Sequence, residues 1–411
     1  MTPFQKVVST AECDSSRTAQ DYRREAIDYA NKKVHFLAIK SYTCALEQAG
    51  DDASLYLGRG NEYKVVGEYD AALEDLTRSL KLDPKRKYIL FGIGMIYYQK
   101  GDYEQAVAYE NRYINVEKSS LPNVYLSLGM DYAALNKQKE AIAAFDQYIA
   151  LVPDDPLGHA EKAFALKAFG ENELGEVSLR QARFLDRDAG KQYIFGAQAA
   201  FVRHDIPAGL VFLNKALLLS PHLSVGYIER AFTYTAQNQI ELAQQDCQSV
   251  LQLDASSQYA YLCNALLSMV NSDWQTSLNW INKAIELDKE NPALYSTRAY
   301  IHWYLKDNEE ALNDLNTAIK LDRFYSAAYF WRASIYEAQH DNIRALADYQ
   351  YYLELQGGDS RNPLLAKHIT QLQQGIVAPS LLTTYSLDEF ARLLLQYPIF
   401  DIQLGNKQNA V

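Results

Sequence analysis

A 34-residue recurrence is the feature that most restricts what this 411-residue chain can fold into. From Ala19 to Asp359 the sequence reads as ten consecutive blocks without insertion or deletion. With Ala53 as position 1 of a block, position 8 is Ala26, Gly60, Gly94, Gly129, Ala163, Ala197, Ala231, Ala265, Ala299 and Ala333. Position 20 is Ala38, Ala72, Ala106, Ala141, Gly175, Gly209, Ala243, Ser277, Ala311 and Ala345. Small residues at two fixed points let two helices approach closely. A large aromatic at position 4, such as Tyr22, Tyr56, Tyr295 or Tyr329, fills the gap between them. One such helix pair cannot bury its own apolar faces, so neighbouring pairs must stack.

The run Tyr56-Leu57-Gly58-Arg59-Gly60-Asn61-Glu62-Tyr63, then Gly67-Glu68-Tyr69, Ala72 and Leu80-Lys81-Leu82-Asp83-Pro84, resembles the tetratricopeptide repeat, a helix-turn-helix of 34 residues. The resemblance implies an all-α fold: a right-handed α-solenoid superhelix of ten helix pairs with C-terminal capping helices. The blocks fall at 19–52, 53–86, 87–120, about 121–155, 156–189, 190–223, 224–257, 258–291, 292–325 and 326–359. Some positions depart from the pattern. Position 24, where the family places an aromatic or apolar side chain, is Glu110 in the third block. Gly175 and Gly209 stand mid-helix, each costing ~1 kcal/mol relative to Ala, and read as drift in a looser part of the array.

Around the array, residues 1–18 read as a short, weakly ordered leader, and 360–411 as a cap helix and tail. Gly357-Gly358 breaks the period, and a polar helix from Pro363 to Gln374 is placed to cover the apolar face of the last repeat. Ser386-Leu387-Asp388-Glu389 has the form of a capping box that starts a helix bearing Phe390, Leu393, Leu394 and Tyr397. A free helix this short is marginal in water, so the segment from Leu381 to Leu404 is expected to fold back. The end of the cap helix is the first docking surface to consider, and the concave groove the second.

Hydrophobic residues make up 48% of the chain, too many for disorder. No apolar run is long enough to span a bilayer, and residues 1–19 lack the apolar core of a secretion signal, so a cytoplasmic location is expected. The net charge of −11 disfavours nucleic acid as a partner. Arg180, Arg183 and Arg187 share one helical face and read as a solvated surface. Cys13, Cys44, Cys247 and Cys263 form no CxxC and no disulfide-framework spacing, which suits a reducing compartment, and Cys247 occupies core position 24. The sequence holds no phosphate-binding glycine loop, HExxH or nucleophile elbow. His159 and His302 stand where Tyr packs in other blocks. No catalytic residue, metal or cofactor is expected, and the chain reads as a non-enzyme.

One charged pattern covaries between blocks. Position 7 is Arg in four blocks, Arg59, Arg230, Arg298 and Arg332, and position 23 is Asp in the same four, Asp75, Asp246, Asp314 and Asp348. Elsewhere both change together, as with Leu128 and Ala144. A planar guanidinium on the first helix is therefore expected to grip a carboxylate on the second.

Family resemblance places ligands at positions 2, 5, 6, 9, 12 and 13, on the first helices that line the concave groove. Those sixty positions hold eight charged residues and thirteen aromatics, so the groove is mostly uncharged. One cluster is Tyr88, Phe91, Met95 and Tyr98 with Leu126 and Met130; another is Tyr300, Trp303 and Tyr304 with Phe330 and Trp331. Many of these also suit packing between neighbouring helices. As a set they suit an amphipathic helix or an extended apolar segment of a partner protein. The groove lacks the Lys, Asn and Arg set that co-chaperone members use on acidic tails. Two functions follow as expectations: a scaffold or adaptor holding a partner segment, or a chaperone or assembly factor shielding apolar segments of clients.

Overall fold

The computed structural model describes residues 13–117, 121–203, 205–358 and 363–374. Every regular element among them is a helix. The first five pairs are α1 (Ala19–Asn31) with α2 (His35–Ala49), α3 (Ala53–Val65) with α4 (Tyr69–Leu82), α5 (Ile89–Gln99) with α6 (Tyr103–Glu117), α7 (Pro122–Ala134) with α8 (Gln138–Leu151), and α9 (Pro156–Ala168) with α10 (Asn172–Leu185). The next five are α11 (Lys191–Val202) with α12 (Ile206–Leu219), α13 (Ser224–Ala236) with α14 (Ile240–Leu253), α15 (Gln258–Val270) with α16 (Trp274–Leu287), α17 (Pro292–Tyr304) with α18 (Asn308–Leu321), and α19 (Ser326–Ala338) with α20 (Asn342–Leu355). A cap helix, α21 (Pro363–Gln373), follows.

These hairpins stack as an all-α solenoid in two compact units, residues 1–193 with 218–221, and residues 194–217 with 222–411. Within each unit, first helices of successive pairs touch one another more closely than second helices do, so the first helices form the inner layer.

Local chemistry sets the hairpin ends. Thr18, Asp52, Asp155, Ser257 and Asn291 accept hydrogen bonds from backbone amides in the first turns of α1, α3, α9, α15 and α17. Between the two helices, position 15 takes a left-handed backbone. Glycine fills it at Gly67, Gly101 and Gly170, but Lys33, Asn136, Asn238, Ser272, Lys306 and His340 adopt it with a side chain. The small residues at positions 8 and 20 are sealed: Ala26, Ala72, Ala231, Ala311 and Ala345 have no exposed surface.

The structure corrects three readings. First, the blocks are not free of insertion: α7 starts 69 residues after α3, one more than two periods. Second, Gly209 is not drift. A Cβ there would lie 2.1 Å from the ring of Phe201, which packs across the helix where other blocks have an alanine methyl. At Gly175 a Cβ would stand 3.0 Å from the carbonyl of Ala163. Third, Cys13 and Cys44, 31 residues apart, are joined by a disulfide. The backbone amide of Asp14 donates to the Tyr22 hydroxyl at 2.6 Å, and that fold-back sets Cys13 against α2. Sequence spacing carries no sign of it. Cys247 and Cys263 are free thiols, both fully buried. The expected helix at 387–396 lies outside the described residues.

α21 docks on the last pair through Leu365, Ile369 and Leu372, all buried, and through a buried polar network. His368 Nε2 and Glu337 Oε1 are 3.0 Å apart, and the Tyr349 hydroxyl donates to Glu337 Oε2 at 2.9 Å.

Candidate partner-binding surface

The covarying charges build the scaffold of this surface. Arg59 donates Nε and Nη2 to the two oxygens of Asp75 at 2.7 and 2.9 Å. The fork repeats for Arg230 on Asp246 (2.8 and 2.7 Å), Arg298 on Asp314 (2.8 and 2.5 Å) and Arg332 on Asp348 (2.7 and 2.7 Å). All four aspartates are buried. Burial pushes the Asp75 carboxyl upward, and the Arg59 guanidinium pulls it back. Tyr56 and Tyr63 flank the Arg59 guanidinium, and Tyr227 and Tyr234 flank that of Arg230.

A third partner was not anticipated from the sequence. The remaining guanidinium nitrogen of each arginine reaches back to position 25 of the preceding pair. Arg230 Nη1 donates to Asn214 at 2.6 Å, Arg298 to Asn282 at 2.8 Å, Arg332 to Asn316 at 2.7 Å, and Arg59 to the Thr43 hydroxyl at 3.2 Å. Lys162, at position 7 of its block, likewise reaches Asp146 at 2.6 Å. Each arginine thus ties its own hairpin together and fastens it to the previous one. The signal was present: an Asn at position 25 precedes three of the four Arg blocks.

In the first unit the inner face is open. Tyr88 is 51% exposed and Met95 38%, while Phe91, Tyr98, Leu126 and Met130 are half-buried. Phe91 stacks on Tyr113 of α6, with centroids 6.3 Å apart, which steadies α5 from behind. Tyr98 meets Tyr103 edge-on at 5.6 Å. Burial, with Glu161, Tyr103 and Asp131 nearby, holds the Tyr98 phenol well above its usual range, so it stays a neutral donor. Glu161 is itself buried and accepts from the Tyr193 hydroxyl at 2.9 Å.

Beneath this face lies an unusual pair. Glu110 on α6 and Asp131 on α7 have no exposed surface, and none of their four carboxyl oxygens has a partner at hydrogen-bonding geometry. Burial first, then the charge of Asp131, pushes Glu110 upward; burial raises Asp131 too.

The second cluster differs from expectation. Tyr300 and Trp331 are 3% exposed and Phe330 1%, so these three do not present open area. Phe330 packs on Tyr349 and Tyr352 of α20, and Tyr300 meets Trp331 edge-on at 5.4 Å. Trp303 and Tyr304 are half-buried. Trp274, on a second helix and so outside the inner-position pattern, stacks on Tyr304 with centroids 4.0 Å apart. Among the described residues no helix is long and apolar enough to cross a membrane, and no group of three or more His, Cys, Asp or Glu side chains is placed to hold a metal ion.

Stacked helical hairpins with an open inner layer define a helical-repeat protein of the class that engages other proteins. The sequence model for the tetratricopeptide repeat matches residues 57–122 and 296–360. The photosystem I assembly protein Ycf3 of Rippkaea orientalis is 32% identical over 143 residues, which cover 31% of this chain and 81% of that relative. The chain belongs to the tetratricopeptide repeat family. The mitochondrial import receptor subunit TOM70 of Homo sapiens is 25% identical over 245 residues, 57% of this chain and 40% of the relative, so the chain spans about two-fifths of its length. Among solved structures, a tetratricopeptide repeat protein from Parabacteroides merdae aligns over 70% of this chain and 98% of its own, at 18% identity and a TM-score of 0.39.

Proposed function

We propose that this chain is a non-catalytic scaffold that holds an apolar segment of a partner protein, as an amphipathic helix or an extended strand, against the inner face of its first unit. One observation carries the reading: Tyr88, the N-cap residue of α5, and Met95, seven residues on in the same helix, stand open, with Phe91, Tyr98 and Met130 half-buried beside them. Large apolar side chains left open on a concave layer mark an interaction site rather than a core. Methionine adapts its shape to varied partners, and the aromatics supply buried contact area. A second reading, assembly factor for client proteins, is favoured by the 81% coverage of a relative whose name is photosystem I assembly protein.

The test is a photo-crosslinking residue in place of Met95. Crosslinks to an apolar segment of a partner, lost when Tyr88→Asp is added, support the reading. Crosslinks that Tyr88→Asp does not alter, or none, overturn it. One dominant crosslinked segment favours the scaffold, and many unrelated apolar segments favour the assembly factor.

A further inference from the structure

Two blocks break the pattern of the outer layer. Positions 22 and 29 are exposed on all ten second helices. In eight blocks both positions hold only Lys, Glu, Gln, Asn or Ala. In the fifth they are Val177 and Phe184, and in the sixth Val211 and Leu218. Leu174 adds to the fifth at position 19. Phe184 is 83% exposed, Leu174 55%, Val177 54% and Leu218 42%. None of them is needed to hold α10 in its hairpin, because Gly175, Leu179 and Ala182 form its buried side. Arg183 donates Nη2 to the Leu218 carbonyl at 2.7 Å and Nε to that of Leu219 at 3.2 Å, which brings the end of α12 alongside α10. Both belong to the first compact unit. Large apolar side chains at places that eight sister helices keep small or polar mark an interaction surface.

We propose that this face pairs with the same face of a second copy of the chain, the two α10 helices running antiparallel across a twofold axis. Two features select that occupant. The first is spacing. Leu174, Val177, Gln181 and Phe184 follow one another at intervals of three, four and three, the seam of a two-helix coil. Those intervals read the same in both directions. An antiparallel copy therefore sets Leu174 against Phe184 of the second copy, and Val177 against Gln181 of the second copy. The second feature is charge. The helix is acidic where it starts, at Glu171 and Glu173, and basic along its second half and just past its end, at Arg180 and Arg187; all four are exposed. A partner of one charge sign would be attracted at one end and repelled at the other. An antiparallel copy brings each acidic start over the basic end of its neighbour and opposes the two helix dipoles. A surface that complements itself is what a twofold contact requires. One helix from each copy, with Leu218 beside it, falls short of the ~800 Å² per partner of a standard interface, so the dimer should come apart on dilution. Second helices form the outer layer, so this pairing leaves the Tyr88–Met95 face of each copy open. The inference does not rest on the reading of that face.

Sedimentation velocity on the full chain tests it. Wild type should show a species of twice the chain mass that dissociates on dilution. Leu174→Glu with Phe184→Glu should abolish that species and leave far-UV circular dichroism unchanged, since both side chains are exposed. The charges test the direction of pairing. Glu173→Lys alone and Arg187→Glu alone should each weaken self-association roughly tenfold by setting like charges opposite one another. An equimolar mixture of the two variants should recover the wild-type dimer, because each copy then meets its opposite at both ends. A wild type that stays monomeric at roughly 100 μM overturns the proposal. A dimer that survives Leu174→Glu with Phe184→Glu overturns it as well, and so does a mixture that associates no better than either variant alone. Monomeric wild type that floats with phosphatidylcholine vesicles would assign the face to a membrane surface instead, and that too overturns it.

Discussion

Glu110→Leu should stabilise the protein, against the usual direction of a core substitution. Position 24 holds Leu76, Leu179, Leu213 and Leu315 in other pairs, each 1% exposed or less. Glu110 is as deeply buried but brings two oxygens without partners beside a second buried carboxyl. A buried polar group left unsatisfied costs about 1–3 kcal/mol, and leucine of similar length removes that cost. The pH dependence follows from the raised values, about 9 for Glu110 and about 7 for Asp131. The folded protein holds protons that the unfolded chain releases above the ordinary carboxylate range. Stability from the protonated pair is therefore complete below about pH 4 and is lost as pH rises through about 7 and then about 9. Each group contributes at most about 1.4 kcal/mol per pH unit while it alone titrates. Urea unfolding at pH 5, 7 and 9, followed by hydrogen exchange of α6 and α7, measures both effects. Wild type should weaken steadily across that range, and Glu110→Leu should be more stable at pH 9 with a shallower slope. Loss of stability at pH 9, or an unchanged slope, would show that the Glu110 carboxylate is satisfied in solution and that the reasoning is wrong.

Asp314→Ala should cost roughly 3 kcal/mol, because it leaves the Arg298 fork facing a buried site. Asn282→Ala, which removes the link to the previous pair alone, should cost about 1 kcal/mol; equal losses in thermal unfolding would contradict this division. Gly209→Ala should destabilise by about 1–3 kcal/mol despite the better helix propensity of alanine, since its Cβ meets Phe201; a rise in melting temperature would refute the close-approach argument. His368→Ala should speed amide exchange in α21 while leaving α13 to α18 unchanged; unaltered protection of α21 would show that Leu365, Ile369 and Leu372 hold the cap alone.

The fold was legible because small residues at positions 8 and 20 repeat with little variation, and helix pairing depends on them directly. The Arg–Asp forks were legible because they lie within one block, so the two positions change together. The backward reach of the same arginines was not seen, because it joins position 7 of one block to position 25 of the one before. Comparison within a block hides such a partner. The open cluster at Tyr88 and Met95 and the closed one at Tyr300 and Trp331 read alike in sequence. Residue type at an inner position states what is compatible with burial, while exposure depends on what else lies over that face. The Cys13–Cys44 link was illegible for a simpler reason: one partner precedes the first repeat, so no periodic argument reaches it.

The backward reach also bears on how such an array can grow. The pair α17–α18 carries a donor for its predecessor, Arg298, and an acceptor for its successor, Asn316. A tandem copy of residues 292–325 would arrive with both halves of the joint, each arginine meeting the asparagine of the copy before it. Duplication of this stretch adds a pair to the array without any compensating change at the seam. A block such as α7–α8 carries an acceptor for its successor, Asp146, but Leu128 at position 7 is no donor, so the new seam of a copy inserted there would lack this joint.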